Sequence, residues 1–560
     1  MKADLILKNA RILDVYNGCF LPPADLALGQ GGILPGNAYE AEIETDLEGR
    51  WVIPGLIDGH IHLESSMIAP PWLATALVPR GTTAVAADPH EIANVCGAAG
   101  LRYILDTTED LPLRVFINLP SCVGSMALED SGATLTAADL KPWWEHPRVI
   151  GLGEVMDVPG VLQADRDLMA KIADGLAAGK IIDGHAPGLF GQELQLYRYR
   201  GIMSDHECLT AAEAREKLGL GFWLMIREGS AAKNLLDLLP AVSPQNQNRC
   251  LLVTDDRHPQ DLVREGHLDH LIRLAIAQGM DPITAIRMAT INPATYFGLK
   301  HLGAIAPGMT ADLVVLDDLE NFQVDRVYTG GKLAAEAGKA LFSVKDRPAP
   351  EVLATVNLAD LREEDLRIPA GESGRARVME LVPHQIYTRM ILEEVTVEQG
   401  EIKADPRRDI LKLAVAERHR ASGNVGLGLV KGFGFQGGAL GSTISHDAHN
   451  LVLLGDNDRD MLLAAARVKE MGGGIVITAG GQVLAELTLE IAGLMSRSDL
   501  STTSQTLEKL DAVARAKGVS PDYDPFLTMG FLSLAVVPEL KVTDRGLVDV
   551  AAGKILPVGL

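Results

Sequence analysis

Apolar and polar positions change rhythm three times along the chain. Residues 1–50 read as short strands and turns: DLILKNARILDV, a glycine-rich stretch with Gly29, Gly31, Gly32 and Gly36, then AEIETDLEG. From about residue 52, short apolar strands alternate with helical segments, the pattern of βαβ units and a parallel sheet. Eight such strands are expected: 52–62, 82–90, 113–121, 149–156, 181–187, 201–207, 221–229 and 251–257. Seven carry His, Asp, Glu or Arg at or just past their C-terminal ends, and the third ends in Asn118 and Ser121. In a closed eight-stranded barrel those ends converge on one rim, where active sites of that architecture sit. A doubly wound open sheet is the competing arrangement.

After the barrel, residues 302–316 (LGAIAPGMTADLVVL) and 327–334 (VYTGGKLA) return to strand-and-turn texture. The expected organisation is α/β: a (β/α)8 TIM-like barrel over 52–300, flanked by a small β-domain built from both sides of it (1–51 and 301–348). A C-terminal α/β domain follows over 349–560, with its own glycine-rich loops and helical stretches.

Composition narrows the function classes. The 560 residues exceed one hydrophobic core. A hydrophobic fraction of 47% with 22% charged residues is that of a soluble globular protein. No apolar run is long enough to span a bilayer, no basic amphipathic stretch suggests membrane binding, and MKADLILKNARILDV lacks the apolar core of a signal peptide. Five scattered cysteines with no Cys-x-x-Cys pair fit a reducing cytoplasm. The formal charge of −23 repels phosphates and argues against a nucleic-acid partner, whereas a neutral small substrate is indifferent to it. A homo-oligomer, a dimer, is the expected assembly.

The first strand ends in His60-Ile61-His62. On a strand, residues two apart share a face, so both imidazoles point the same way and form half of a metal site. With Glu154, His185, His206 and Asp255 at later strand ends, four imidazoles and two carboxylates without a thiolate favour Zn, Fe or Mn. Six ligands are too many for one tetrahedral ion and suit two metals sharing Glu154 and a hydroxide. Taken singly, each residue could be a capping or hydrogen-bonded side chain; on successive strands of one barrel that explanation weakens.

These residues resemble the amidohydrolase superfamily, with Glu154 in GLGEVM where many binuclear members carry a carboxylated lysine. The narrower resemblance is to the bacterial adenine deaminase family. It rests on PGLIDGHIHLESSM (54–67), ADPHEIANV (87–95), GLGEVM (151–156), GHAPGL (184–189), SDHE (204–207), TDDR (254–257), GLVKGFG (428–434), HDAHN (446–450) and DPFLTMGFLSLAVVPELKVTDRGLVDV (524–550). It implies hydrolytic deamination of adenine to hypoxanthine and ammonia (purine salvage), with a metal-bridged hydroxide attacking C6. It also implies two divalent ions held by His60, His62, Glu154, His185, His206 and Asp255. Manganese or iron is suggested by the resemblance, and zinc by intrinsic affinity.

Asp255 is expected to move the proton to the departing amine, and Glu64, Glu91 and Glu207 are candidates to protonate ring nitrogen N1. Glu207 is favoured, with a hydrogen bond to a ligand histidine as its alternative role. His90 and Glu91 are placed on strand two, as substrate contacts or supports for metal ligands. His90, Asp256, His446 and His449 are candidate substrate contacts. The HDAHN stretch is read as a loop closing the barrel mouth, an additional metal site, or a solvated surface segment. GFGFQGG (432–438) lacks the Lys-Ser/Thr of a phosphate-binding loop, and the Pro-Cys-x-x-Cys of zinc nucleobase deaminases is absent. The competing functions are another metal-dependent amide or cyclic-amide hydrolase, and a scaffold that kept the barrel but not its chemistry.

Overall fold

The computed structural model describes every residue except 1, 37, 125–127, 346, 348 and 384. Among the described residues, eight parallel strands carry the N-terminal half: β1 (Leu56–Ile61), β2 (Thr82–Ala87), β3 (Arg114–Leu119), β4 (Val149–Val155), β5 (Ile181–Gly184), β6 (Ser204–Asp205), β7 (Trp223–Arg227) and β8 (Cys250–Val253). The first five form one sheet in the order β5-β4-β3-β2-β1, and the last three another, β6-β7-β8. Helices alternate with them, so the fold is α/β. Backbone bonds cross both seams between the sheets. Met203 N donates to Ile182 O at 2.9 Å between β5 and the entry to β6. Past β8, Asp255 N donates to His60 O at 3.0 Å, with a parallel bridge between Ile61 and Asp255.

The strands are apolar on both faces because both are covered. Ala86, Ile150, Met225, Leu251 and Val253 gather into one buried cluster between strands. Val85, Val115, Ile117, Leu152 and Ile182 join the larger cluster that includes Leu101 and Ile104 of the helix Ala98–Thr107 and Ile172 of the helix Arg166–Ala177.

The expected first strand, 52–62, is two. Trp51–Pro54 pairs antiparallel with Leu313–Asp318 and belongs to a ten-stranded sheet drawn from residues 5–54 and 313–340. After Gly55 the chain enters the parallel sheet as β1. Glycine is required at the crossing, because a Cβ on Gly55 would lie 2.1 Å from Thr83 Oγ1. Strand two also ends early. His90 and Glu91 are not on it but open the helix His90–Cys96, since Pro89 stops the ladder and stands before the first helical turn. β6 spans only Ser204–Asp205 and ends before His206.

The C-terminal half centres on an eight-stranded sheet that includes Arg375–Leu381, Ile410–Ala416, Val425–Lys431, Leu451–Gly455 and Gly474–Ala479. The helices Asp458–Met471 and Leu500–Ala516 pack on it. It meets the N-terminal half just after the His-x-His segment: Ser496 N donates to Met67 O at 2.8 Å and Ala69 N to Ser496 O at 2.9 Å. Among the described residues, no helix is long and apolar enough to cross a membrane.

The β5/β6 seam leaves no room for a side chain at Gly184, where a Cβ would lie 2.3 Å from Ser204 O. Gly184→Ala is therefore expected to cost about 1–3 kcal/mol through backbone displacement, read as a lower urea midpoint with an unchanged slope. An unchanged midpoint would mean that the seam yields without cost.

Candidate active site

His60 is the penultimate residue of β1 and His62 lies just past it, while Glu154 is the penultimate residue of β4. His185, His206 and Asp255 follow β5, β6 and β8 by one or two residues. Parallel strands bring these ends together around the Glu154 carboxylate. Its Oε2 lies 2.6 Å from His185 Nδ1 and 3.2 Å from His206 Nε2, and its Oε1 lies 3.3 Å from His62 Nε2. Asp255 Oδ1 is 3.1 Å from His62 Nε2 and 3.6 Å from His60 Nε2. Asp255 adopts φ 59°, a left-handed conformation that Asp tolerates better than most residues.

Asp88, just past β2, organises this group. Its Oδ2 accepts from Glu154 N at 2.8 Å, and its carbonyl lies 3.0 Å from His62 Nδ1. With Nδ1–H donating to that carbonyl, the His62 Nε2 lone pair is turned toward Glu154 and Asp255. Burial alone would push the Glu154 carboxyl up, but His206, His185 and His62 hold it well below the usual carboxylate range. Asp255 is likewise held well below, against burial, by His60, His62 and Arg227.

The donor set fits divalent metal ions. Neither ring nitrogen of buried His60 has a hydrogen-bond partner, a costly arrangement for a neutral imidazole that ligation through Nε2, which faces Asp255, would relieve in part. His60, Glu154 and His206 lie close enough to share an ion, and so do His60, His62 and Asp255, with His60 common to both groups. His90 also approaches, with Nδ1 at 3.5 Å from Glu154 Oε1.

Beside this group is a pocket lined on one side by Glu64, Ser65, Met67, Glu91, Asp256 and His258. Its other side comes from the C-terminal half, including Ile444, His446, His449, Ile475, Leu494 and Phe526. The ligand histidines do not line it, but Glu64 and Asp256 sit two residues and one residue past His62 and Asp255. Glu64 is buried; its Oε1 accepts from Ile92 N at 3.1 Å and its Oε2 has no partner. Burial pushes the Glu64 carboxyl up to about 7.

Two sequence expectations change. Glu207 does not line the pocket: Arg227 grips both of its oxygens, with Nη2 to Oε2 at 2.7 Å, and also donates from Nη1 to Asp255 Oδ2 at 2.8 Å. The HDAHN segment is not a solvated surface loop, because His446 through Asn450 are all buried. Sequence reasoning passed over Arg227 and Asp88. An arginine at the end of β7, among strand ends rich in carboxylates, was the available signal for the first, and the Asp of DPHE for the second.

Residues 51–334 match the amidohydrolase family and residues 385–554 the adenine deaminase C-terminal domain. The chain is 51% identical over 561 residues to adenine deaminase 2 of Carboxydothermus hydrogenoformans, covering 100% of this chain and 97% of that protein. It is 47% identical over 558 residues to the adenine deaminase of Nitratidesulfovibrio vulgaris, covering 100% and 96%. To that of Geobacillus kaustophilus it is 43% identical over 561 residues, covering 100% and 97%. Similarity of that extent takes in both halves of the chain and every strand end described above, and the chain belongs to the adenine deaminase family.

Proposed function

We propose that this chain catalyses the hydrolytic deamination of adenine to hypoxanthine and ammonia, at the strand-end cluster and the pocket beside it. In this reading the eight strands act as one closed (β/α)8 barrel over 52–300. The segments 1–51 and 301–348 form its small β-domain, and 349–560 supplies the second wall of the pocket. The observation that carries it is the convergence of four imidazoles and two carboxylates, with His60 left unsatisfied by any protein group.

His60, His62, Glu154, His185, His206 and Asp255 would hold two divalent ions, manganese in our reading. When bound, the metals supply Lewis acidity, which makes water at the site a nucleophile near neutral pH. The remaining work falls to the chain. Asp255, aimed by Arg227, accepts one proton from the attacking water and returns it to the leaving amine, while the water's second proton, released as the C6 carbonyl forms, replaces the one that N1 takes from the chain. Addition at C6 requires a proton at N1, and Glu64, with Oε2 unpartnered at the pocket wall, is placed to deliver it. Glu207 is committed to Arg227 and keeps that guanidinium on Asp255. Met67, Ile444, Ile475 and Leu494 offer apolar surface for the purine faces.

Protein grown with manganese should release ammonia from adenine, lose that activity to a chelator and regain it with added manganese. Well-metallated protein that releases none would overturn the deaminase reading and favour an amide hydrolase. Glu64→Gln should lower kcat about 100-fold or more, the contribution of a positioned general acid. A larger loss in Glu207→Gln would return the donor role to Glu207. Arg227→Met in metal-free protein should cost about 3 kcal/mol, because buried Asp255 and partly buried Glu207 lose their counter-charge; urea melts with and without manganese would measure it.

A further inference from the structure

The C-terminal half reaches the pocket with two histidines, and both engage Glu91. His446 Nδ1 lies 2.8 Å from Glu91 Oε1, and His449 Nε2 contacts Oε2. All three side chains are buried and all three line the pocket. Such a trio is also a plausible metal site, but its proton arrangement opposes that. Ser445 N–H donates to His449 Nδ1 at 3.2 Å, so the ring's proton resides on Nε2 and points at Glu91. A protonated Nε2 has no lone pair for a metal. The trio is a hydrogen-bond clamp.

The clamp is rigid. The His446 ring stacks on Phe531 at 4.6 Å, and His446 N donates to Gly530 O at 3.0 Å. Arg418 donates to the His449 carbonyl. Burial alone would push the Glu91 carboxyl up, but the two facing imidazoles hold it well below its usual range. His446 is pushed up to about 9 chiefly by Glu91, while burial keeps His449 neutral. Glu91 is thus a fixed anionic acceptor. Each of its oxygens receives one imidazole N–H; Oε1 also faces His90 Nε2 at 3.5 Å, and Oε2 retains capacity for a second donor from the pocket.

Its place relative to the metal ligands suggests what that donor is. His90 lies between the two carboxylates, with Nδ1 3.5 Å from Glu154 Oε1 and Nε2 3.5 Å from Glu91 Oε1. Glu91 and Glu154 therefore face opposite nitrogens of the His90 ring, Glu91 on the pocket side. A purine whose C6 faces the strand-end cluster would present its five-membered ring to Glu91. We propose that Glu91, held by His446 and His449, accepts the imidazole-ring N–H of free adenine and so selects the free base over N9-substituted purines. This rests on the deaminase reading for the orientation of the purine. A charge-assisted bond to a buried carboxylate strongly favours a substrate carrying that N–H, and a nucleoside has a sugar there instead. Glu91 is then a specificity-determining residue, and His446 and His449 are positioning residues.

The test uses adenine and 9-methyladenine, which has no ring N–H in any ordinary tautomer, with manganese-loaded full-length protein. Initial rates and equilibrium binding would be measured for both. Wild type should prefer adenine by about 100-fold or more in kcat/KM. Glu91→Gln, which keeps the volume but loses the charge, should raise KM for adenine and leave 9-methyladenine nearly unchanged, so that the preference falls at least about tenfold. His446→Ala and His449→Ala should each narrow it in the same direction, a pattern that general loss of structure would not produce. Equal handling of both bases by wild type, or an undiminished preference in Glu91→Gln, would overturn the proposal. If adenine binds without releasing ammonia, the deaminase reading fails, and the ratio of dissociation constants still decides whether Glu91 reads the N–H.

Discussion

Gathering carboxylates and imidazoles out of water is tolerable only where each charge meets an opposite one, and that constraint shapes the centre of this protein. Glu154 is surrounded by His62, His185 and His206, and Asp255 lies between His60, His62 and Arg227. Asp88 fixes the backbone of one and the ring of another. Where the protein's own groups run out, at His60 Nε2 beside Asp255, the remaining demand is one that a divalent cation meets. The strand ends supply the positions, and the charge balance sets which side chains can occupy them.

The same logic extends into the C-terminal half, which is wired to the reaction centre rather than appended to it. Backbone bonds from Ser496 to Met67 and Ala69 attach it directly behind the His-x-His segment. Met67 belongs to the C-terminal core, while Ile491, Leu494 and Met495 belong to the core of the N-terminal half. The pocket has acidic and hydroxyl groups on one wall and mostly apolar groups on the other. A flat heteroaromatic substrate needs both.

Much of this was legible in the chain. His60, His62, Glu154, His185, His206 and Asp255 stand at the ends of apolar runs, so their convergence follows from periodicity and the geometry of parallel strands. What was not legible depends on contacts between distant segments. Glu91 and His449 are 358 positions apart, and no local pattern pairs them. Glu207 was read from its neighbour in sequence, His206, whereas its hydrogen-bond partner in space is Arg227 on the next strand. The break at Gly55 was hidden because Trp51–Pro54 and Leu56–Ile61 are both apolar, although they serve different sheets.

The central proposal is that the strand-end residues, Glu154 among them, would hold two divalent ions. Metal analysis of the purified, manganese-grown protein tests it most directly, with wild type beside Glu154→Gln. The account predicts two equivalents of divalent metal per chain in wild type and about one or fewer in the variant. One equivalent in wild type, or an unchanged two in Glu154→Gln, would contradict it.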